Sequence, residues 1–190
     1  MKLGIYGGSF DPVHLGHLLV AQAAVEELGL DRFFFVPAAQ SPFKPENRPA
    51  ADAVRLQLLR LALAGKSHYE VDGQEIRRGG ISYTVDTLRD YAGRFPAAKL
   101  FYLIGADHAA KLDEWREPAE LARLAEFVVV PRPGGPTPVF PPSFRGRRLK
   151  GFPLGVSSSE IRARVKAGLT VDHLVPAAVV GAICAAQVYR

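Results

Sequence analysis

The chain has 190 residues, with 24 Lys and Arg against 19 Asp and Glu, a formal net charge of +5, and 48% hydrophobic residues. This length suits one hydrophobic core, and the composition excludes a disordered or collagen-like chain. The positive charge favours anionic partners, although it does not separate a nucleic acid from a phosphorylated metabolite. We therefore expect one domain over residues 1–190.

The single cysteine, Cys184, excludes an intrachain disulfide and favours a reducing compartment. Its neighbours Ile183 and Ala185 predict a buried thiol that packs as a small hydrophobe. Glycines interrupt the basic, apolar segment 1–6 before a signal-peptide core develops, and the longest apolar stretch, 174–186, is too short to span a bilayer. We expect a cytoplasmic protein that does not interact with membranes.

Short runs of β-branched and aromatic residues alternate with helical patterns. This alternation predicts an α/β, doubly wound, Rossmann-like parallel sheet with helices on both faces and a C-terminal helical portion. Each strand run is almost continuously apolar, as expected for strands buried on both faces. In chain order the predicted elements are a strand at 2–6, a helix at 15–28, a strand at 32–36, helices at 52–63 and 84–94, a strand at 100–104, a helix at 119–124, a strand at 127–130, and helices at 159–166 and 172–187.

Two proline-rich segments interrupt this alternation. Residues 38–49 surround Lys44 with prolines, and residues 131–148 hold six prolines and three glycines before a basic end. Such compositions are typical of irregular loops. The segment that follows residue 148 is too short to bury a core of its own, so neither region is a domain linker. We interpret the first as a loop over the site and the second as a surface excursion.

The first strand leads directly into residues 7–17, GGSFDPVHLGH, and the first long helix begins inside that segment. A glycine-rich turn at a helix N-terminus directs backbone N–H groups and a partial positive charge at one point, which suits a phosphate. His14 and His17 are spaced to lie on one helical face. Helix-end solvation, N-capping and a zinc pair are alternatives, although no third zinc ligand follows at a suitable spacing. We predict a phosphate site.

Residues 157–162, SSSEIR, open a helix near the other end of the chain. Taken alone, serines at this position indicate a capped amphipathic helix rather than a binding site. A parallel sheet, however, brings helix N-termini together at the carboxyl ends of its strands. Two such helix ends could together bind a triphosphate.

The paired segments 8–17 and 157–162 resemble the motifs of nucleotidyltransferases with a His-x-Gly-His core. The chain is similar nearly end to end to bacterial nicotinate mononucleotide adenylyltransferases. The resemblance implies a catalytic role for His14, His17, Lys44 and Arg162. It implies that ATP is bound by Gly7, Gly8, Ser9, Phe10, His14, His17, Gly105, Asp107, Ser157, Ser158, Ser159 and Arg162, and that the mononucleotide is bound by Asp11, Lys44, Tyr83, Thr84, Trp115 and Arg132.

Within this resemblance Gly105 and Asp107 would lie against the adenosine ribose, and Trp115 would stack on the pyridine ring. Thr84 would cap a helix whose free N–H groups could bind a substrate carboxylate. The chain departs from the family pattern in three places. Phe43 stands where the family commonly has a histidine, Ser159 replaces a frequent threonine, and the region after Arg132 is unusually rich in proline.

The chemistry can also be argued from the residues. A phosphate nucleophile is already ionised at neutral pH, so the reaction needs two anions positioned and charge neutralised rather than a general base. The absence of an obvious nucleophile–base pair favours direct transfer without a covalent intermediate. We expect Mg²⁺ to enter with ATP, largely on phosphate oxygens, because no acidic cluster suggests a protein cage for the metal.

Other functions remain open at this stage. Phosphopantetheine adenylyltransferase shares both phosphate motifs, although the Tyr83–Thr84 and Trp115 matches and the chain length argue against it. A nucleotide or RNA-binding sensor could use the basic cluster of Arg145, Arg147, Arg148 and Lys150, but this cluster lacks interleaved aromatic residues, so we expect no nucleic acid partner. The sequence leaves open the preference between acid and amide mononucleotides and whether the chain forms a homo-oligomer.

Overall fold

A computed structural model describes residues 1–43, 49–134 and 137–190. The strands are β1 (Lys2–Gly8), β2 (Arg32–Pro37), β3 (Tyr69–Val71), β4 (Lys99–Ile104), β5 (Ala125–Val129) and β6 (Gly146–Arg148). The helices are α1 (Leu15–Leu28), α2 (Asp52–Leu63), α3 (Gln74–Arg78), α4 (Thr84–Arg94), α5 (Ala106–Ala109), α6 (Pro118–Leu124), α7 (Ser158–Lys166) and α8 (Ala177–Ala186), with a 3₁₀ turn at Leu112–Glu114.

All six strands are parallel, in the order β3-β2-β1-β4-β5-β6. The first strand therefore lies in the middle, and Ile5 pairs with Phe34 on one side and Tyr102 on the other. The chain leaves β1 toward β2 and later returns to form β4 on the opposite side. This reversal creates a crevice at the carboxyl ends of β1 and β4, where ligands bind in open α/β sheets. The predicted fold class is confirmed.

Alternate residues along each strand pack on opposite faces of the sheet. Phe33 and Phe35 join a core that includes residues of α1, α2, α7 and α8, whereas Phe34 and Val36 join a second core with residues of α4, α5 and α6. The sheet is thus buried on both sides, which explains the continuous apolar runs of its strands.

The two edge strands were not among the predicted elements. Strands β3 and β6 have three residues each and carry polar side chains, so neither produces an apolar run. Strand β6 lies inside segment 131–148, which was predicted to be a surface excursion throughout. That prediction was wrong at its end, because residues 146–148 pair with β5. The short helices α3 and α5 were also missed.

The C-terminal helix begins later than predicted. The prediction was 172–187, but α8 starts at Ala177 with Pro176 as its N-cap, because proline cannot supply the N–H that an interior helical position requires. The prediction of a buried Cys184 was wrong, since its side chain is exposed. In the described portions of the chain, no helix combines the length and apolar character needed to cross a membrane.

Candidate active site

The last two residues of β1, Gly7 and Gly8, lie too close to neighbouring side chains to be replaced by larger residues without displacing them. Strand β1 continues through Gly7 and Gly8, two residues beyond the predicted end. A Cβ atom on Gly7 would collide with the hydroxyl oxygen of Tyr102, and one on Gly8 would lie 3.2 Å from the ring of Phe10. These glycines keep the backbone at the carboxyl end of β1 open.

His14 and His17 form a stacked pair at the start of α1. Their ring centroids are 3.6 Å apart with an interplanar angle of 22°. The backbone N–H of His14 donates to Nδ1 of His17 at 3.2 Å. Because Nδ1 accepts this bond, a neutral His17 carries its proton on Nε2. The bond therefore makes Nε2 of His17 a hydrogen-bond donor.

Both imidazoles are neutral near pH 7. Burial lowers the pKa of His14 to about 4. Burial also lowers the pKa of His17 well below its ordinary value, and the charges of His14 and Arg132 lower it further. As uncharged groups, the two imidazoles can offer hydrogen bonds to an anion, but they supply no positive charge.

Helix α7 docks directly on this loop. Ser158 Oγ donates to the carbonyl of Pro12 at 2.8 Å, and Nη1 of Arg162 donates to the carbonyl of Asp11 at 2.7 Å. Ser157 caps α7 by accepting from the backbone N–H of Glu160 at 3.2 Å. The two motifs therefore meet, and the first turns of α1 and α7 lie at one end of the sheet.

The remaining serines differ in exposure. Ser159 Oγ accepts a hydrogen bond from Nη2 of Arg162 at 3.3 Å, so the arginine bridges its own helix and the loop. Ser9 and Ser159 are exposed, while Ser158 is half-buried. Both exposed hydroxyls are accessible to a phosphate.

Phe10 packs its ring beneath the histidine pair. Its side chain is 1% exposed, and its ring packs edge-on against His17, with centroids 4.9 Å apart. The residue has a positive φ of 46°, which bends the chain between β1 and α1. Its ring thus supports the imidazole of His17 from the core side.

Asp11 is fixed by several donors. Its side chain is 3% exposed, and Oδ1 accepts from the backbone N–H of Ala50 at 3.1 Å and from the hydroxyl of Tyr189 at 2.8 Å. Oδ2 lies 3.7 Å from Nη1 of Arg162. This carboxylate therefore links the loop to the chain before α2, to α7 and to residue 189.

Arg55 of α2 also holds this loop through a hydrogen bond to its backbone. It was not among the site residues predicted from the sequence. Its side chain is completely buried. Nη1 donates to the carbonyl of Ser9 at 2.7 Å, Nε donates to the carbonyl of Ala50 at 3.1 Å, and Nη2 donates to Asp52 at 2.5 Å. A signal existed, because Arg55 shares a helical face with the buried Leu58 and Leu59.

A second part of the site is a cavity of about 390 Å³, which Asp107 and His108 of α5 line just after the carboxyl end of β4. Trp115 lies in its wall, with its ring edge-on to Phe127 at 6.3 Å and tilted against Phe43 at 5.3 Å. The indole Nε1 is buried and has no hydrogen-bond partner among the described residues. The lining residues are Pro42, Phe43, Tyr83, Thr84, Val85, Asp107, His108, Lys111, Glu114, Trp115, Arg116 and Leu121.

The start of α4 differs from the prediction. Tyr83, not Thr84, is the N-cap, and its side chain makes no capping bond. Thr84 is the first helical residue, and its hydroxyl donates to the hydroxyl of Tyr102 at 3.3 Å. The prediction of Thr84 as the cap was therefore wrong. The N-terminus of α4 still borders the cavity, since Thr84 and Val85 line it.

Gly105 and Asp107 lie at the end of β4. Gly105 is the N-cap of α5, and a Cβ there would collide with the carboxylate of Asp107. Asp107 is exposed and shares the cavity with Trp115. Phe43 also covers this cavity, with its ring centroid 4.6 Å from that of His108. Phe43 stands where the resembled family commonly has a histidine, and here its ring contacts His108 and Trp115.

The other basic residues singled out in the sequence lie in different parts of the molecule. Arg132 is exposed just after β5, and its charge acts on His17. Lys44 lies outside the described residues. In the basic cluster, Arg147 forms an ion pair with the buried Glu126, which also pairs with Lys99 at 2.8 Å. Arg147 is therefore engaged in holding the sheet edge.

No metal cluster stands out in the described chain. Across residues 1–43, 49–134 and 137–190, no three His, Cys, Asp or Glu side chains are grouped so that they could hold a metal ion.

The fold and the paired phosphate motifs define a nucleotidyltransferase. The family model described as "Cytidylyltransferase-like" matches residues 5–164. The chain is 43% identical over 192 residues to a "Probable nicotinate-nucleotide adenylyltransferase" of Opitutus terrae, covering 100% of this chain and 98% of that one. It is 44% identical over 184 residues to one of the same name from Thermus thermophilus, covering 94% of each. The chain belongs to the nicotinate-nucleotide adenylyltransferase family.

Solved structures support the fold independently. The nicotinic acid mononucleotide adenylyltransferase of Plasmodium falciparum complexed with NaAD superposes with a TM-score of 0.79, at 18% identity, over 99% of this chain and 97% of that one. A structure of that enzyme complexed with APC gives the same TM-score at 16% identity. At these identities the likeness concerns the fold alone.

Proposed function

We propose that this chain transfers the adenylyl group of ATP to nicotinate mononucleotide, giving nicotinate adenine dinucleotide (deamido-NAD) and pyrophosphate, a step of NAD biosynthesis. The observation that carries the proposal is the docking of Arg162 and Ser158 on the histidine loop, next to a cavity that contains Trp115. One part suits a triphosphate, and the other suits an aromatic ring. The names of the family relatives agree with this reaction.

In this proposal, ATP binds across the two helix N-termini. Helix ends present N–H groups without intrahelical partners, and they favour anions. The Nε2–H of His17 reaches the α-phosphate region as a neutral donor, while Arg162 supplies the positive charge. The ATP-binding set is Gly7, Gly8, Ser9, the backbone of Phe10, His14, His17, Gly105, Asp107, Ser157, Ser158, Ser159 and Arg162.

The acceptor binds in the cavity of about 390 Å³. The pyridine ring stacks on Trp115, and Tyr83 and Thr84 border the ring. Arg132 and Lys44 neutralise the mononucleotide phosphate, and Asp11 acts through the loop that it holds in place. The charge that Arg132 exerts on His17 supports a position between the two substrates.

The reaction then proceeds by direct attack. A phosphate oxygen of the acceptor attacks the α-phosphorus of ATP, that bond forms as the bond to pyrophosphate breaks, and no protein group becomes covalently attached. Donors that are already oriented toward the developing charge stabilise the transition state without reorganisation. Mg²⁺ would arrive with ATP and would neutralise part of the phosphate charge, beside the positive charge that Arg162 supplies. We propose that residues 1–190 act as one nucleotidyltransferase domain, and a cytoplasmic location stays a prediction.

The decisive experiment is pyrophosphate release from Mg²⁺ and ATP, with nicotinate mononucleotide, nicotinamide mononucleotide and phosphopantetheine compared in parallel as acceptors. We expect turnover with nicotinate mononucleotide, and a product that co-migrates with deamido-NAD. Turnover with phosphopantetheine alone would identify the other adenylyltransferase. Salt-sensitive RNA binding without turnover on any acceptor would favour the sensor and contradict the proposal.

A further inference from the structure

Arg116 places a guanidinium in the wall of the acceptor cavity. It follows Trp115 in the chain, and its Cζ lies 4.6 Å from the ring centroid of Tyr83. Arg116, Tyr83 and Trp115 line the same cavity. A guanidinium packed on an aromatic ring is restrained by that contact, while the N–H groups at its rim can still bind an oxyanion.

The charge of Arg116 is only weakly compensated by the protein. Its ion pair among the described residues is with Glu117, at an Nε–Oε1 distance of 3.8 Å. Both oxygens of Glu117 already accept hydrogen bonds from Arg89, one of them at 3.1 Å from Nη1. Glu117 is therefore primarily the partner of Arg89, and Arg116 retains donors for a ligand.

The start of α4 lies at the same corner of the cavity. Tyr83, on which Arg116 packs, is the N-cap of this 11-residue helix and makes no side-chain capping bond. The N–H groups of Thr84 and Val85 come too early in the helix to have an intrahelical acceptor, and they carry a partial positive charge. The start of α4 and the Arg116 guanidinium thus border the same cavity. A carboxylate there accepts from both, whereas the NH₂ of a carboxamide would face other donors.

We infer that Arg116 makes the enzyme select the acid, nicotinate mononucleotide, over the amide, nicotinamide mononucleotide, by binding the carboxylate of the pyridine ring. This inference rests on the proposed function, because it requires the pyridine ring to lie beside Trp115. Lys111 is a second cation of the cavity, and Asp107 and Glu114 are its acidic residues. Because Arg116 packs on Tyr83, the N-cap of α4, the selection belongs to its guanidinium rather than to the ammonium group of Lys111.

The test compares kcat/KM for the two mononucleotides at saturating Mg²⁺ and ATP. In Arg116→Met we expect kcat/KM for the acid to fall about tenfold or more, the scale of one charge-assisted hydrogen bond, with the amide little affected. Arg116→Lys keeps the charge without the planar fork, so its acid-to-amide ratio should fall between those of the other two proteins. Arg123→Met removes an equal charge from an exposed residue paired with Glu120 outside the cavity and should leave the ratio unchanged.

Two outcomes would overturn the inference while leaving the proposed function intact. One is an equal fall for acid and amide in Arg116→Met, which would make Arg116 a support for Tyr83 only. The other is a loss of selectivity in Lys111→Met as large as in Arg116→Met. That result would mean that the total positive charge of the cavity, and not Arg116 in particular, sets the preference for the acid. If Arg116→Met does not fold, the Arg116→Lys ratio decides. Wild-type protein that releases pyrophosphate with neither mononucleotide would instead contradict the proposed function.

Discussion

The hydroxyl of Tyr189 donates to Oδ1 of Asp11 at 2.8 Å, across 178 positions of sequence. Asp11 lies in the loop between β1 and α1, where Arg162 donates to the backbone carbonyl of Asp11 itself and Ser158 donates to the carbonyl of the next residue, Pro12. The carboxylate is 3% exposed, so solvent cannot readily replace a lost donor. Burial and the neighbouring Asp11 raise the pKa of Tyr189, which therefore stays protonated and donates across the physiological range.

Replacing this donor should loosen the loop. For Tyr189→Phe we expect a loss of about 1.5–3 kcal/mol in the free energy of unfolding, the scale of one hydrogen bond to a charged group, while the backbone N–H of Ala50 still donates to the same oxygen. We also expect kcat to fall severalfold, because the histidines are then less well positioned. Urea unfolding and steady-state kinetics measure the two effects. Tyr69→Phe, on the edge strand β3, is the matched control. An unchanged kcat in Tyr189→Phe would show that the position of the histidines does not depend on this hydrogen bond.

His17 should be essential for rate and dispensable for folding. His17→Ala removes a donor aimed at the charge that develops in the transition state, so we expect the rate to fall by about a hundredfold or more. Pyrophosphate release with nicotinate mononucleotide gives the rate, and far-ultraviolet circular dichroism checks the fold. His68→Ala changes an exposed histidine outside the site and should keep normal activity. A near-normal rate for His17→Ala would remove His17 from the mechanism.

Trp115 should matter for one substrate more than the other. Trp115→Ala removes the proposed stacking surface, which is worth about 0.5–1.5 kcal/mol beyond simple burial. We expect KM for the mononucleotide to rise about tenfold while KM for ATP changes little. Leu169→Ala, which trims an exposed apolar residue after α7, serves as the control. Equal changes in both Michaelis constants would argue against stacking at this residue.

His14 should make stability depend on pH. Its pKa is about 4 in the folded protein, against about 6.5 when unfolded. Between these values the unfolded chain binds one proton more, so the free energy of unfolding decreases as pH falls from 6.5 to 4. The total effect is about 3 kcal/mol at 1.36 kcal/mol per pH unit. This stability is fully present above pH 6.5.

The measurement compares urea unfolding of the wild type and His14→Gln at pH 7 and pH 5. The variant cannot take up this proton, so its stability should decrease by about 2 kcal/mol less than that of the wild type over this interval. Carboxylates that titrate in the same range affect both proteins alike and cancel in the difference. Parallel pH dependences would mean that His14 titrates normally.

The central part of the fold was predictable from local patterns. The strands from Lys2, Arg32 and Lys99 are buried on both faces, and such burial requires continuous apolar runs that a sequence displays directly. Residues 69–71 and 146–148 form edge strands of three residues each, half-buried in the first and exposed in the second, so no long apolar run marks them. Pro176 shortened the last helix by a rule of backbone chemistry that outweighed the apolar pattern of residues 172–176.

Only those parts of the site whose residues are close together in the sequence were predictable. His14 and His17 could be paired because three residues of helix separate them. The contacts of Arg55 with Ser9, of Tyr189 with Asp11, and of Arg116 with Tyr83 join residues 33 or more positions apart, and no periodicity encodes them. Arg55 alone left a trace, as a charged residue on an apolar helical face.

The bond from Ser158 to Pro12 has a consequence for how the protein is synthesised. The two residues are 146 positions apart, and the histidine loop leaves the ribosome long before α7. A nascent chain that ends before residue 158 already contains β1 and α1, but it lacks the second helix end for a triphosphate. Long-range contacts of this kind form late in folding. Catalytic competence should therefore appear only with the final stage of synthesis, so that unfinished chains cannot consume ATP.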